Sequence, residues 1–332
     1  MATTLNSAIN AFVATHVDLS KDVVSQGRKS RDWLLGQLGS ISENDQTFPR
    51  LYKDKHRGFG SFARNTKKQP LDDIDQLWCL SATDGMYYSD TGQEVIIVVD
   101  ENDIIFKNYT RFDNKTHLSS TRIINLIVRS LSSIQQYKNA SERDGEAATL
   151  RSTTHDWNFD IVPCFFTAKD INDRDYYLIP DGKGNWKKTD PRKDQEYTSR
   201  INQENDQKVL QVIRVIKYWN KRKTMPSMSS YLLENFVLNH FEYYPLKDTL
   251  EENIIEAIEY IAANIHSTVY DPKDIQGNLN NLTSEKRNAI FYRALSDLEN
   301  LKLAKHCKYD DPKKAIDLWR KVFGQNFPEY KS

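Results

Sequence analysis

The chain has 332 residues, with 46 basic and 46 acidic side chains and a hydrophobic fraction of 39%, so its formal net charge is zero. This balance argues against a strongly basic surface for long duplex nucleic acid, although a local basic pocket is compatible with it. No run of about 18 apolar residues occurs, and the N-terminus lacks a secretory signal, so we expect no membrane span and no export. The three cysteines, Cys79, Cys164 and Cys307, predict reduced thiols and a cytoplasmic location.

The first part of the chain mixes predicted helices and strands. Apolar residues at helical spacing predict helical structure over 4–37, followed by a polar break at 39–48 and a short helical piece at 49–57. A further helix is predicted at 120–138. Runs of β-branched and aromatic residues predict four strands, at 74–80, 94–99, 148–153 and 156–166.

The second part of the chain begins with a polar segment and is then helical. Residues 168–195, rich in Asp, Lys, Gly and Pro, predict a long loop. Helical periodicity predicts the remaining elements, at 203–222, 230–243, 250–265, 283–305 and 311–323. We therefore expect an α+β protein with two lobes: a mixed-sheet lobe with an N-terminal helix at 1–195, and a helical lobe at 196–332.

Acidic residues interrupt two of the predicted strands. Asp73 and Asp75 are two residues apart, so their carboxylates are expected on one face, with Ile74 and Leu77 on the other. Asp160 lies between Phe159 and Ile161, where an unpartnered carboxylate is costly. Like charges held this close repel unless a cation lies between them, and Mg²⁺ prefers such oxygen ligands. These three aspartates therefore predict a metal site.

A Gly-Ser turn precedes the first acidic strand. Gly58 and Gly60 would let a backbone approach a phosphate closely, and Ser61 adds a hydroxyl donor. Two similar patterns occur elsewhere: Gly39-Ser40 precedes Glu43 and Asp45, and Asp173 and Asp175 have the same spacing as the first pair. Both lie in polar segments without an apolar strand, so we interpret them as loop charges.

The combined pattern resembles the polymerase-β-like nucleotidyltransferases, and its flanking detail resembles the cGAS/DncV-like branch (CD-NTases) of bacterial anti-phage signalling systems (CBASS). The matching stretches are GSFARNT followed by LDDID, FDIVPCF, IPDGKGNWKKTDP, IRVIKYWN, SSYLLENF and LWRKVFGQNF, which together span residues 58–327. The resemblance implies that Asp73, Asp75 and Asp160 are catalytic and bind metal. It also implies that Gly60 and Ser61 form the phosphate-binding turn.

The resemblance assigns two further residues to the donor triphosphate. Lys217 matches the family's lysine before a Tyr-Trp pair, and Ser230 matches its serine four residues before a glutamate, here Glu234. From the residues alone, Lys217 also fits a solvated basic helix face, and Ser230 also fits a helix N-cap. Trp186 fits either a base-stacking residue or a loop anchor.

The resemblance implies a metal-dependent nucleotidyltransferase that joins nucleoside triphosphates, with ATP or GTP favoured, into a cyclic di- or trinucleotide messenger. Two Mg²⁺ ions, or Mn²⁺ in their place, are the expected cofactors. Expected partners are the substrates, an effector that reads the product and regulatory proteins. No membrane partner is expected, and no long nucleic acid is expected because the net charge is zero and the zinc cluster of the animal DNA sensor is missing. Two alternatives stay open: a linear transferase acting on RNA or protein, and a non-catalytic nucleotide sensor.

Overall fold

The computed structural model describes residues 2–92, 94–132, 134, 141–152 and 155–331. These residues form two compact units. The sheet unit comprises Lys21–Ala63 and Leu71–Arg192, and the helical unit comprises Met1–Ser20, Arg64–Pro70 and Lys193–Ser332. The chain therefore passes from one unit to the other four times.

The sheet unit is built on one mixed sheet, in which nine strands are described. Its strands are β1 (Arg57–Gly58), β2 (Asp73–Leu80), β3 (Tyr87–Asp90), β4 (Val95–Val98), β5 (Ser141–Asp144), β6 (Ala147–Leu150), β7 (Asn158–Phe166), β8 (Tyr177–Pro180) and β9 (Trp186–Thr189). The spatial order is β1-β2-β7-β8-β9-β4-β3, and β5 and β6 extend from β7. Strands β2 and β7 pair in parallel, whereas the other described strand pairs are antiparallel. The expected mixed sheet is confirmed.

Helices cover the sheet through apolar faces. Helix α4 (Ser120–Ser132) buries four aliphatic side chains at helical spacing, Ile123, Ile124, Ile127 and Leu131, and packs on β5, β6, β7 and β8. Helix α2 (Lys21–Asn44) approaches β2 at Gly27, where an added Cβ would lie 3.3 Å from Cδ1 of Ile74. Ile74 is therefore buried against a helix, as its position in the sequence predicts.

The described residues of the helical unit share one large apolar core. It contains α1 (Leu5–Phe12), α6 (Val209–Asn220), α7 (Ser230–Tyr243), α8 (Leu250–Asn264), α9 (Ser284–Cys307), α10 (Pro312–Phe323) and most of α5 (Pro191–Glu204). Capping side chains define four of the helix starts: Ser229, Thr249, Thr283 and Asp311 each accept a hydrogen bond from a backbone N–H of the first turn. The predicted helical half of the chain is confirmed.

Several predicted boundaries differ from the structure. Residues 168–195 are not one long loop, because strands β8 and β9 pair around the turn that holds Gly182 and Gly184, and α5 follows. The predicted helix 203–222 is divided, since Asp206 and Gln207 have φ values of 51° and 62°, which no α-helix accommodates. Helix α2 continues through most of the predicted break at 39–48. Parts of the predicted helix 120–138 and strand 148–153 lie outside the described residues.

The two units do not follow the linear division at residue 195. The chain enters the helical unit at Lys193, and residues up to Ser20 also belong to that unit. Burial explains this assignment, because Leu5, Ile9 and Phe12 of α1 lie in the apolar core of the helical unit. Among the described helices, none has a long enough apolar stretch to cross a membrane.

Candidate functional site

Three aspartates converge in the sheet unit on neighbouring strands. Asp73 and Asp75 lie at the start of β2, and Asp160 lies near the start of β7. The parallel register places Asp75 directly beside Asp160. One carboxylate oxygen from each of the three lies within 4.8 Å of the others, and all three side chains are half-buried. The structure thus brings together the three residues that the sequence selects, two from one strand and one from its neighbour.

The aspartates share a face of the sheet with apolar residues further along the strands. Leu77 packs in a cluster with Cys79, Val162 and Cys164. The expectation that Leu77 faces away from the aspartates is therefore wrong, since it is two residues from Asp75 and strand side chains alternate. This face is polar where the strands begin and apolar further along, so the carboxylates lie at the edge of a packed core.

Gly60 lies against one of these carboxylates. It begins the short helix α3 (Gly60–Ala63) with a φ of 67°, a conformation that L-residues with a side chain rarely adopt. A Cβ at this position would approach Cγ of Asp75 to 2.6 Å, which is closer than real Cβ contacts allow. The N–H of Phe59 donates to the carbonyl oxygen of Asp75 at 3.0 Å. Glycine is thus required at residue 60 both by its backbone angle and by the carboxylate next to it.

Thr149 orients the third carboxylate and was not selected from the sequence. Strand β6 pairs with β7 so that Thr149 is opposite Asp160, and its Oγ1 donates to Oδ1 of Asp160 at 2.6 Å. The sequence contains no local signal for this contact, because it depends on which strands pair. The hydrogen bond orients one oxygen of Asp160.

The donor set suits a hard divalent cation. Carboxylate oxygens are the ligands that Mg²⁺ and Mn²⁺ prefer, and such ions usually take one to three of them together with water or phosphate oxygens. In the described part of the chain, this is the one group of three or more acidic, histidine or cysteine side chains with metal-binding spacing. The two sequence patterns treated as loop charges form no such group: Gly39 and Ser40 lie inside α2, and Asp173 is in a turn with a φ of 59°.

Lys217 lies in the helical unit, in a buried ionic cluster. Its Nζ is 2.5 Å from Oε1 of Glu234 and donates to the carbonyl oxygen of Thr66 at 3.0 Å. Nε of Arg64 donates to Oε2 of the same carboxylate at 3.0 Å. The Lys217 side chain is only 6% exposed, so its interpretation as part of a solvated helix face is wrong. We call Arg64, Lys217 and Glu234 the Glu234 cluster.

The charge of Glu234 is maintained by its two cationic neighbours. Burial alone raises the pKa of this carboxyl group, but the positive charges of Arg64 and Lys217 outweigh it and lower the pKa to about 2. Glu234 is therefore ionised at neutral pH. Arg64 and Lys217 thus share this one carboxylate, and burial lowers the pKa of Lys217 although the charge of Glu234 opposes that shift.

Ser230 is the first residue of α7 and is exposed. It is not the N-cap, because Ser229 holds that position and its hydroxyl accepts from the N–H of Leu232 at 3.3 Å. Its assignment to a triphosphate stays a prediction. Trp186 does not serve as a base-stacking residue, because it is buried in β9 and its Nε1 donates to the carbonyl oxygen of Leu118 at 3.0 Å.

Comparison with known proteins gives two relatives. A protein of Bacillus cereus (strain VD146) named "Probable cyclic nucleotide synthase" is 41% identical over 333 residues, which cover 99% of both chains. The "Cyclic AMP-AMP-AMP synthase" of Acinetobacter sp. (strain ATCC 27244 / 9458) is 25% identical over 162 residues, which cover 46% of this chain and 47% of that protein. No family model matches the chain.

Solved structures share the fold. Escherichia coli MS115-1 CdnC, solved with ATP, has a TM-score of 0.73 and 16% identity over 97% of this chain and 98% of its own. The same protein in complex with HORMA-deltaN has a TM-score of 0.69 at the same identity and coverage. Vibrio cholerae DncV, in complex with the linear intermediate 5' pppA(3',5')pG, has a TM-score of 0.60 and 13% identity over 83% of this chain and 70% of its own.

Proposed function

Because this chain belongs to the cGAS/DncV-like nucleotidyltransferases, a family of cyclic nucleotide synthases, we propose that it joins nucleoside triphosphates into a cyclic di- or trinucleotide. The observation that carries the proposal is the convergence of Asp73, Asp75 and Asp160 beside Gly60. In the proposed reaction, a ribose hydroxyl group of one nucleotide loses its proton to solvent, and its oxygen bonds to the α-phosphorus of another. The bond from that phosphorus to the bridging oxygen breaks, and pyrophosphate leaves.

The three aspartates would hold the divalent cations. Asp73 and Asp75 would hold both of the two ions that we propose, and Asp160 would hold one of them, with Mg²⁺ as the expected ion and Mn²⁺ as a substitute. When bound, such ions lower the pKa of the attacking hydroxyl group and neutralise the leaving phosphates. Thr149 keeps Asp160 oriented toward its neighbours, and Gly60 leaves space beside Asp75 that any larger residue would occupy.

Lys217 and Ser230 are proposed to bind the donor triphosphate. The pairing of both Arg64 and Lys217 with the single carboxylate of Glu234 supports this role for Lys217, because two cationic groups there compete for one acceptor and a phosphate oxygen would supply another. Exposure of Ser230 at the start of α7 supports its role, since the N–H groups of a first helical turn favour anions. Gly60 and Ser61 are proposed as the phosphate-binding turn.

The biological setting is also a proposal. We expect ATP or GTP as substrates, a cytoplasmic location, an effector protein that reads the product, and a role in anti-phage defence. A regulatory protein partner is compatible with the HORMA-deltaN complex of E. coli CdnC. Long nucleic acid and membranes are not expected as partners.

The test is product analysis with purified protein, Mg²⁺ and labelled nucleotides supplied singly and in pairs. A cyclic product has no terminal phosphate, so its label should survive alkaline phosphatase and be released by a nuclease that cuts internal phosphodiesters. Label that is wholly phosphatase-sensitive, or that appears only with added RNA or protein, would establish the linear transferase instead. Nucleotide binding without any turnover would establish the sensor.

A further inference from the structure

A strongly basic cavity lies in the helical unit, apart from the Glu234 cluster. A cavity of about 650 Å³ opens where α6 and α10 end. Among the described residues that line it, six are basic and none is acidic: Lys68, Lys221, Arg222, Lys223, Arg293 and Lys321. The whole chain has equal numbers of acidic and basic residues, so this cavity is a marked local concentration of positive charge.

The two arginines of the cavity share one buried acidic partner, Asp297. Arg222 and Arg293 both pair with Asp297, at 2.5 and 3.3 Å, and Nε1 of Trp219 donates to the same carboxylate at 2.8 Å. Arg222 also donates to the carbonyl oxygen of Val322. One carboxylate thus serves two guanidinium groups, which keeps them ordered but does not neutralise both.

Three lysines of the cavity, unlike the two arginines, are exposed and have no acidic partner among the described residues. They are Lys221, Lys223 and Lys321. Side chains with like charge around one cavity repel each other, and a bound anion would relieve that repulsion. Neutral donors complete the wall, including Asn326, whose Nδ2 donates to Oη of Tyr218 at 3.0 Å.

We propose that this cavity binds a compact polyphosphate anion, of which the triphosphate chain of a nucleotide is one source and free polyphosphate another. Its volume is within the range of small-molecule sites. Arginines matched to phosphate geometry, with mobile lysines around them, are the groups that recognise phosphate chains. None of the residues assigned to nucleotidyl transfer lines this cavity, so the proposal does not rest on the proposed function.

The experiment is equilibrium dialysis of labelled tripolyphosphate with the full chain, in EDTA at low ionic strength. One variant combines Lys221→Gln, Lys223→Gln and Lys321→Gln. The matched control combines Lys286→Gln, Lys313→Gln and Lys314→Gln, which removes the same charge from exposed lysines of the same unit. The cavity variant should bind about 10- to 100-fold more weakly, and the control should bind nearly as the unchanged protein does. Circular dichroism and Tm check that both variants fold.

Other outcomes overturn the proposal. Equal losses in both variants would indicate general charge attraction, and no loss in the cavity variant would place the anion elsewhere. A separate Lys217→Ala protein distinguishes the proposed donor site from the cavity. If Lys217→Ala loses tripolyphosphate binding and the cavity variant keeps it, the anion binds at the proposed donor site. ATP and AMP are measured in parallel. ATP binding more tightly than tripolyphosphate supports a nucleotide as the source, equal binding of the two supports free polyphosphate, and AMP binding as tightly as ATP contradicts recognition of a phosphate chain.

Discussion

Nζ of Lys217 and Oε1 of Glu234 are 2.5 Å apart, and both side chains are almost fully buried. Glu234 also accepts from Arg64, so removing the lysine does not leave the carboxylate without a partner. It does remove one of the two charges that keep Glu234 ionised. Lys217 therefore has a structural role inside the helical unit besides the proposed role toward the triphosphate.

These two roles of Lys217 can be separated experimentally. We expect Lys217→Ala to lower the free energy of unfolding by about 1–3 kcal/mol, because a buried ion pair loses one partner. If Lys217 also binds the donor triphosphate, affinity for the nucleotide should fall by a further 1.5–3 kcal/mol or about 10- to 150-fold, with a smaller loss at saturation. Urea unfolding and nucleotide titration measure the two effects. Lower stability with unchanged nucleotide affinity would limit Lys217 to the structural role, and Lys286→Ala serves as the control.

The depressed pKa of Glu234 predicts a specific pH dependence of stability. Its pKa is about 2 in the folded protein and ordinarily 4.5, so the folded state keeps the carboxylate charged where the unfolded state takes up a proton. The stabilisation is fully present above about pH 4.5 and is lost as pH falls toward 2. We expect the stability difference between the unchanged protein and Glu234→Gln to be constant from pH 7 to 5 and to narrow by about 1–3 kcal/mol by pH 3. A difference that stays constant down to pH 3 would show that the charges of Arg64 and Lys217 do not control this group.

The sequence predicts the grouping of the three aspartates well because the signal is local. Residues two apart on a strand project from the same face, which groups Asp73 with Asp75. An aspartate between apolar neighbours requires a partner, which selects Asp160. All three are therefore identified before their strands are known to be adjacent. Gly60 is identified in the same way, from a turn next to a strand. The fold class also follows from the change in periodicity along the chain.

The side chains that contact Asp160, Lys217 and Glu234 could not be predicted, because these contacts join residues that are distant in the sequence. Arg64 and Glu234 are 170 positions apart, and Arg64 looks like an ordinary basic loop residue. Thr149 contacts Asp160 only because β6 pairs with β7 in one register. Helical spacing places Lys217 beside other basic residues, but it does not show that a carboxylate from α7 meets it in the interior.

Gly60 should tolerate no larger residue. Gly60→Ala combines the cost of a positive φ, about 1 kcal/mol, with overlap between the new Cβ and the Asp75 carboxylate. Gly85→Ala is the matched control, because Gly85 lies in the same unit with a φ of 80° and has no atom within 4 Å of the added Cβ. We expect Gly60→Ala to lose about 1–3 kcal/mol more stability than the control and nearly all turnover. If the two substitutions have equal effects on both stability and turnover, overlap with the Asp75 carboxylate is not the reason that residue 60 must be glycine.

The aspartates themselves should be needed for turnover but not for folding. We expect Asp73→Asn, Asp75→Asn or Asp160→Asn to lower Mg²⁺-dependent turnover by several orders of magnitude, because each removes a charged ligand. In EDTA, each should unfold at an equal or slightly higher urea concentration, with a gain on the order of 1 kcal/mol, since repulsion within the group falls. Asp173→Asn, from the similarly spaced pair in a turn, is the control and should retain turnover. Near-normal turnover in any one of the three would exclude that residue from the site.

Thr149 should act through Asp160. Its Oγ1 donates to the Asp160 carboxylate at 2.6 Å, which keeps that carboxylate oriented beside Asp75. Thr149→Val keeps the side-chain shape but removes the donor, so the Asp160 carboxylate loses one of the contacts that orient it and its proposed contribution to metal binding weakens. We expect the Mg²⁺ concentration needed for half-maximal turnover to rise about 10-fold, in the range found when an outer partner of a metal ligand is removed. Thr149→Ser restores the hydroxyl group and should restore most of the Mg²⁺ response. Two results would show that Thr149 only packs between the strands. One is a Thr149→Val protein that is less stable but has an unchanged Mg²⁺ dependence, and the other is a Thr149→Ser protein that does not recover the Mg²⁺ response.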